Sequence, residues 1–172
     1  MNETIPVLLK LPTYHNRFDY VVNMVSESIL EDGLSLQLAP TRPKETKRLW
    51  FESGLQPVKL GESDLIRLYP HLPVVILNSL IACFAHMELG FWIVNGENAI
   101  DRVNLFKGAH NDPTLCDEST WRYRIARMIG YRTMTLLDAN CRSQITTFDN
   151  FIHVPSRGEV ERDMTVFSEF IE

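Results

Sequence analysis

The stretch from Thr147 to Glu172 constrains the fold more than any other part of the chain. Phe148-Asp149-Asn150-Phe151-Ile152-His153-Val154 reads as a short apolar strand that runs into Pro155-Ser156-Arg157-Gly158-Glu159. Ser156 and Glu159 stand at capping-box spacing, where each side chain satisfies a free backbone donor at a helix start. Val160, Met164, Phe167 and Ile171 then recur at helical spacing and give the helix one apolar face.

At 172 residues the chain suits one large domain or two small lobes. A net charge of −5 and a pI near 5.5 argue against nucleic acid as the main partner. Arg122, Arg124, Arg127 and Arg132 alternate with apolar residues and read as solvated helix charges. Leu72 to Val94 is the most apolar region, but Asn78, His86 and Glu88 interrupt it, so buried strands are expected and no membrane insertion. Met1 is followed by Asn2-Glu3-Thr4, which is not the basic opening of a signal peptide. Cys83, Cys116 and Cys141 make no disulfide framework: Cys83 reads as a core thiol, and Cys116 and Cys141 are free to pair only in an oxidising compartment.

The first half alternates strands and helices. Ile5 to Leu11 is a strand, and Asn16 caps a helix bearing Phe18, Val21, Val22, Val25 and Ile29 that ends at Asp32-Gly33. Leu34, Leu36 and Leu38 alternate as a half-buried strand, a helix is expected from Thr41 to Gly54, and Leu55 to Leu60 is a third strand. This β-α-β-α-β order predicts an α/β fold with mainly parallel sheets flanked by helices. Val74 to Leu77 and Leu89 to Val94 read as two further strands, with a turn at Asn95-Gly96-Glu97-Asn98. A helix carrying Trp121, Ile125, Met128 and Ile129 ends at Gly130, a strand covers Tyr131 to Leu137, and a short polar helix is expected from Ala139.

Three constellations bear on chemistry. His110, Asp112 and Cys116 gather in a polar loop, which reads either as a small metal-dependent enzyme's ligand set or as a solvated loop; the spacing lacks the paired ligands of a zinc site, so no metal is expected. Ser119, Thr120 and Trp121 open a helix whose free N–H groups and dipole favour a carboxylate, or else form an ordinary cap over a core Trp. Tyr14 and Arg17 follow the first strand, where ligands of open α/β sheets gather, or else belong to a solvated loop. No Gly-x-Ser-x-Gly elbow, phosphate loop or catalytic His motif is visible, so no catalytic residue is assigned; His71 and His86, beside apolar runs, read as structural.

Taken together, the loop at Tyr14, the helix containing Tyr20, the glycines at 33 and 54 and the strand Leu89–Val94 resemble a type II periplasmic solute-binding protein of the amino-acid-binding class. Trp121, Gly130-Tyr131 and the segment from Phe148 to Glu159 fit the same pattern, over a chain shorter than that family's. The resemblance implies two lobes, residues 1–78 and 79–172, the second including the start of a return crossover. It implies non-catalytic binding, for transport or sensing, of a small polar ligand such as an amino acid or carboxylate in the cleft, with no cofactor. Tyr14, Arg17, Ser119, Thr120 and Trp121 would line that cleft, with Arg157 and Glu159 at the crossover. The location would be periplasmic if a signal peptide had been removed and cytoplasmic otherwise, with a homodimer covering the first lobe's edge. The alternative is an interaction or sensory module that has kept the fold without a ligand.

Overall fold

The computed structural model of the chain describes residues 2–12, 17–37, 50, 52–85, 87–110, 113–129, 133–137, 143–148 and 151–171. β1 (Asn2–Pro12) lies between β4 (Met87–Glu97) and β7 (Ile152–His153). It pairs antiparallel with β4 from Asn2↔Glu97 to Pro12↔Met87, and with β7 at Leu8↔His153 and Leu9↔Ile152. The far side of β4 carries β2 (Ser35–Gln37) and β3 (Gln56–Pro57), both antiparallel to it. A separate hairpin joins β5 (Thr133–Leu137) to β6 (Ser143–Phe148).

Strand alternation divides the core into two layers. Ile5, Val7, Leu9 and Leu11 turn to one face and meet α1 (Phe18–Glu31), α4 (Ala99–Lys107) and α5 (Trp121–Ile129) through Val22, Val25, Val103 and Trp121. Leu8, Phe91 and Ile93 turn to the other, covered by α2 (Glu62–Leu68), α3 (Val74–Phe84) and α6 (Val160–Ser168). There Phe167 packs on Phe91 with ring centroids 5.0 Å apart. Burying a side chain of that size contributes about 1.5–3 kcal/mol.

Several local expectations hold. Gly33 ends α1 at φ +86, a backbone conformation that suits a residue without Cβ. Ser156 and Glu159 form the capping box: the Ser156 N–H donates to Glu159 Oε1 at 3.1 Å and its hydroxyl at 2.6 Å.

The expected parallel sheets and two-lobed α/β architecture are overturned, because every strand pairing among the described residues is antiparallel. β1 and β2 do point the same way, as the β-α-β order implied, but both are antiparallel to β4, which lies between them. The crossover is real and its two strands are not neighbours, a split β-α-β arrangement. Val74 to Leu77, expected as a strand, is the first turn of α3, which buries Leu77, Leu80 and Phe84 on the second face. Such a run is apolar enough for either element, and periodicity alone does not separate them. Within the polar helix expected from Ala139, Ser143–Phe148 is strand, matching the β-branched Ile145, Thr146 and Thr147. The helix expected from Thr41 falls mostly outside the described residues. No described helix is long and apolar enough to cross a membrane.

Candidate functional site

β1 is apolar at almost every inward position, yet Lys10 sits near its end and is only 9% exposed. By strand alternation Lys10 shares a face with Leu8, and Leu8 is paired with His153 on β7. The lysine and the imidazole are thus brought to the same side of two adjacent strands. Across that face, α6 presents Asp163, which is wholly buried, and its Oδ2 lies 2.9 Å from His153 Nε2. Asp163 falls on the apolar stripe of α6, between Val160 and Phe167, so its placement in the core needs a polar partner. His153 is that partner.

Tyr69 meets the imidazole itself, and two cations, Lys107 and Arg122, come from the helices packed on the sheet's other face. Tyr69, just after α2, packs edge-on against it with ring centroids 5.8 Å apart. Lys107, at the end of α4, donates to Asn104 Oδ1 at 3.0 Å. Arg122, in the first turn of α5, is 4% exposed and donates to the carbonyls of Gly108 (3.1 Å), His110 (3.0 Å) and Ile152 (3.0 Å). Its bond to Ile152, the residue before His153, ties α5 to β7.

The electrostatics suit an anion beside a neutral base. Burial, reinforced by Lys10 and Lys107, holds the His153 imidazole below its ordinary range against the opposing pull of Asp163. Burial, with Arg122 nearby, lowers Lys107 to about 8. Arg122 is brought by burial down to about 10 and remains charged at neutral pH. Burial, with Asp163 nearby, pushes the Tyr69 phenol up, so it stays a hydrogen-bond donor. Asp163 occupies Nε2 and thereby selects the tautomer that leaves the Nδ1 lone pair for chemistry. The His153 side chain as a whole keeps 19% of its surface exposed. A neutral nucleophile with cations nearby is an arrangement that can hold and attack a phosphoryl group.

The residues expected to line a cleft are dispersed. Tyr14 lies outside the described residues. Arg17 is exposed, with its guanidinium 5.6 Å from the Tyr20 ring centroid. At the start of α5, the Asp117 carboxylate accepts from the Ser119 N–H (2.9 Å) and hydroxyl (2.7 Å), and these bonds hold it below its usual range. The Thr120 hydroxyl donates to the Asp117 carbonyl at 2.7 Å, and Trp121 is buried against Phe106. Arg157 reaches Glu3 at 2.6 Å and Asp101 at 3.1 Å, away from the imidazole. Glu159 gives one oxygen to Ser156 and the other to Arg162 at 3.0 Å, and its carboxyl is held at about 2, chiefly by the Ser156 hydroxyl. The Cys116 thiol donates to the His110 carbonyl, while Asp112 and Cys141 lie outside the described residues. Among the described residues no three His, Cys, Asp or Glu side chains are grouped to hold a metal ion.

Sequence reasoning missed the cluster by narrow margins. It singled out Ser119 to Trp121 and took Arg122, the next residue, for a solvated charge. Three signals were available: a lysine within an apolar strand, an aspartate on a helix's apolar stripe, and a histidine in the strand ahead of that helix.

No protein-family model and no curated protein sequence matches the chain. Solved structures do. A nucleoside-diphosphate kinase from Borrelia burgdorferi, a transition-state mimic with bound vanadate and ADP, superposes at a TM-score of 0.61 with 16% identity, over 99% of this chain and 90% of that one. A nucleoside diphosphate kinase family protein from Babesia bovis gives 0.61 and 15% over 99% and 92%. A halophilic nucleoside diphosphate kinase from Halobacterium salinarum in complex with CDP gives 0.60 and 15% over 97% and 88%. At these identities the likeness establishes the fold. It overturns the resemblance to type II solute-binding proteins, and with it the interlobe cleft, the transport or sensing role and the non-catalytic binding of an amino acid that rested on that resemblance.

Proposed function

We propose that the chain is a nucleotide phosphotransferase in which His153 carries the phosphoryl group between a nucleoside triphosphate and a nucleoside diphosphate. The observation that carries this reading is the 2.9 Å contact of Asp163 with His153 Nε2, on the sheet face that the buried Lys10 shares. The fold supports it, since two proteins of the same fold hold ADP with vanadate and CDP respectively.

In the first step the Nδ1 lone pair attacks the terminal phosphorus, and the bond from that phosphorus to the bridging oxygen breaks. The departing diphosphate keeps the electron pair. The imidazole ring takes up positive charge as the new N–P bond forms, and Asp163 at Nε2 stabilises it. Lys10, Lys107 and Arg122 offset the charge of the transferring group, and the Tyr69 hydroxyl is a further donor. In the second step a terminal oxygen of another nucleoside diphosphate attacks the same phosphorus, the N–P bond breaks and neutral His153 is restored.

The test supplies magnesium–ATP labelled at the γ-phosphate together with a second nucleoside diphosphate. Label should move to the second nucleotide in the wild-type chain. His153→Ala should lower transfer by at least about 10³-fold, as expected for removal of a nucleophile. Transfer at the wild-type rate in His153→Ala would refute the assignment.

A further inference from the structure

Asp163 does not stand alone behind the imidazole. Its second oxygen, Oδ1, accepts from Arg162 Nε at 3.0 Å, so the carboxylate is held at two points instead of one. Arg162 is held in turn by Nη2 donating to Glu159 Oε2 at 3.0 Å, and Glu159 is fixed through its other oxygen by the Ser156 hydroxyl at 2.6 Å. The hydrogen-bonded chain runs Ser156, Glu159, Arg162, Asp163, His153, from the helix cap to the imidazole. A carboxylate bonded through one oxygen can rotate about its terminal torsion, which is broad and poorly determined by itself. The Arg162 fork removes that freedom.

We infer that Arg162 is a positioning residue: by clamping Asp163 it holds the His153 imidazole in the Nε2–H tautomer with Nδ1 free. The inference rests on the phosphotransfer reading for its consequence, though the clamp itself is independent of it. The groups facing the imidazole from the packed elements are Lys10 of β1, Tyr69 after α2, Lys107 of α4 and Asp163 of α6, with Arg122 of α5 bonded to the preceding carbonyl. Arg162 bonds Asp163 at the oxygen the imidazole does not use. It also lines an open surface groove with Arg67, Pro70, Gly158, Glu161 and Thr165, so shortening it leaves no sealed void.

The experiment is nitrogen-15 NMR of His153 in the full chain at pH 7, beside the single-turnover phosphorylation rate. Wild type should show one tautomer, protonated at Nε2. Arg162→Gln should show a mixture of both tautomers and phosphorylate about 10- to 100-fold more slowly with unchanged nucleotide affinity, the size expected for a misplaced reacting group. Arg162→Lys, which returns the charge without the fork, should not restore the single tautomer. Should Arg162→Gln fail to fold, Glu159→Gln, which loosens the far end of the fork, should give the same mixture at lower amplitude. A pure Nε2–H tautomer in whichever of these variants folds would overturn the clamp. Absence of phosphorylation in wild type, with the tautomer shift still present, would sink the phosphotransfer reading and leave the clamp standing.

Discussion

His153 and Asp163 are defined by each other: the strand brings the imidazole to the inner face, and the helix meets it with a wholly buried carboxylate at 2.9 Å. Asp163→Asn tests this at the scale of one atom. An amide can donate to Nε2, which moves the imidazole proton to Nδ1 and blocks the nucleophile. A loss of roughly 10³–10⁴ in transfer rate is expected, comparable to other cases of a wrong tautomer. The protonation state makes a second demand. Because His153 is held below its ordinary range, transfer should stay flat through pH 7 and fall only as acidification protonates the imidazole, with a midpoint below 6.5. A midpoint at or above 6.5 would contradict the burial argument. Lys107 gives a stability counterpart. Its folded value of about 8 lies below the unfolded 10.5, so burying the charged ammonium costs stability below pH 8. That cost fades as pH rises toward 10.5, where the unfolded chain still binds the proton. Lys107→Met should therefore raise Tm, more at pH 7 than at pH 10, while weakening nucleotide binding.

At the scale of elements, the most legible feature was α6. Its cap and its apolar stripe follow directly from Ser156, Glu159, Val160, Met164 and Phe167, because caps and helical periodicity are local properties. Ser156→Ala should cost about 1 kcal/mol, a fall in Tm of roughly 2–4 °C for a domain of this length. Circular dichroism melting measures it. The Glu159 carboxyl is depressed to about 2, so its contribution is complete above the unfolded 4.5 and is lost as pH falls through 2. The Ser156→Ala deficit should accordingly persist at pH 5 and shrink at pH 2. A deficit unchanged at pH 2 would show that the carboxylate takes no part. α3 was illegible for an equally physical reason: Val74 to Phe84 is apolar on nearly every side, so it carries no 3.6-residue contrast to distinguish it from a buried strand. The start of α5 was read correctly as a helix beginning, but Asp117 takes the Ser119 N–H and the Thr120 hydroxyl takes the Tyr123 N–H, and the buried cation there is Arg122, one residue past Trp121.

At the scale of the whole molecule, the β-α-β order was correctly read and the sheet was not. Order along the chain gives β1 and β2 a common direction, but no local signal announces that β4, arriving fifty residues after β2, will enter between them. The same non-local step brings β7 to the edge of β1, turning what looked like the exit from a second lobe into the wall of the site. The site is non-local as well: Lys10, Tyr69, Lys107, Arg122, His153 and Asp163 come from six separate segments, none bearing a recognisable motif of its own. Whether His153 accepts a phosphoryl group is read out by intact-mass measurement of the purified chain after brief exposure to magnesium–ATP. A mass gain of one phosphoryl group is expected, acid-labile, mapping to His153 and reversed by added nucleoside diphosphate. An unchanged mass under conditions where nucleotide is shown to bind, or a phosphoryl group on any other residue, would contradict it.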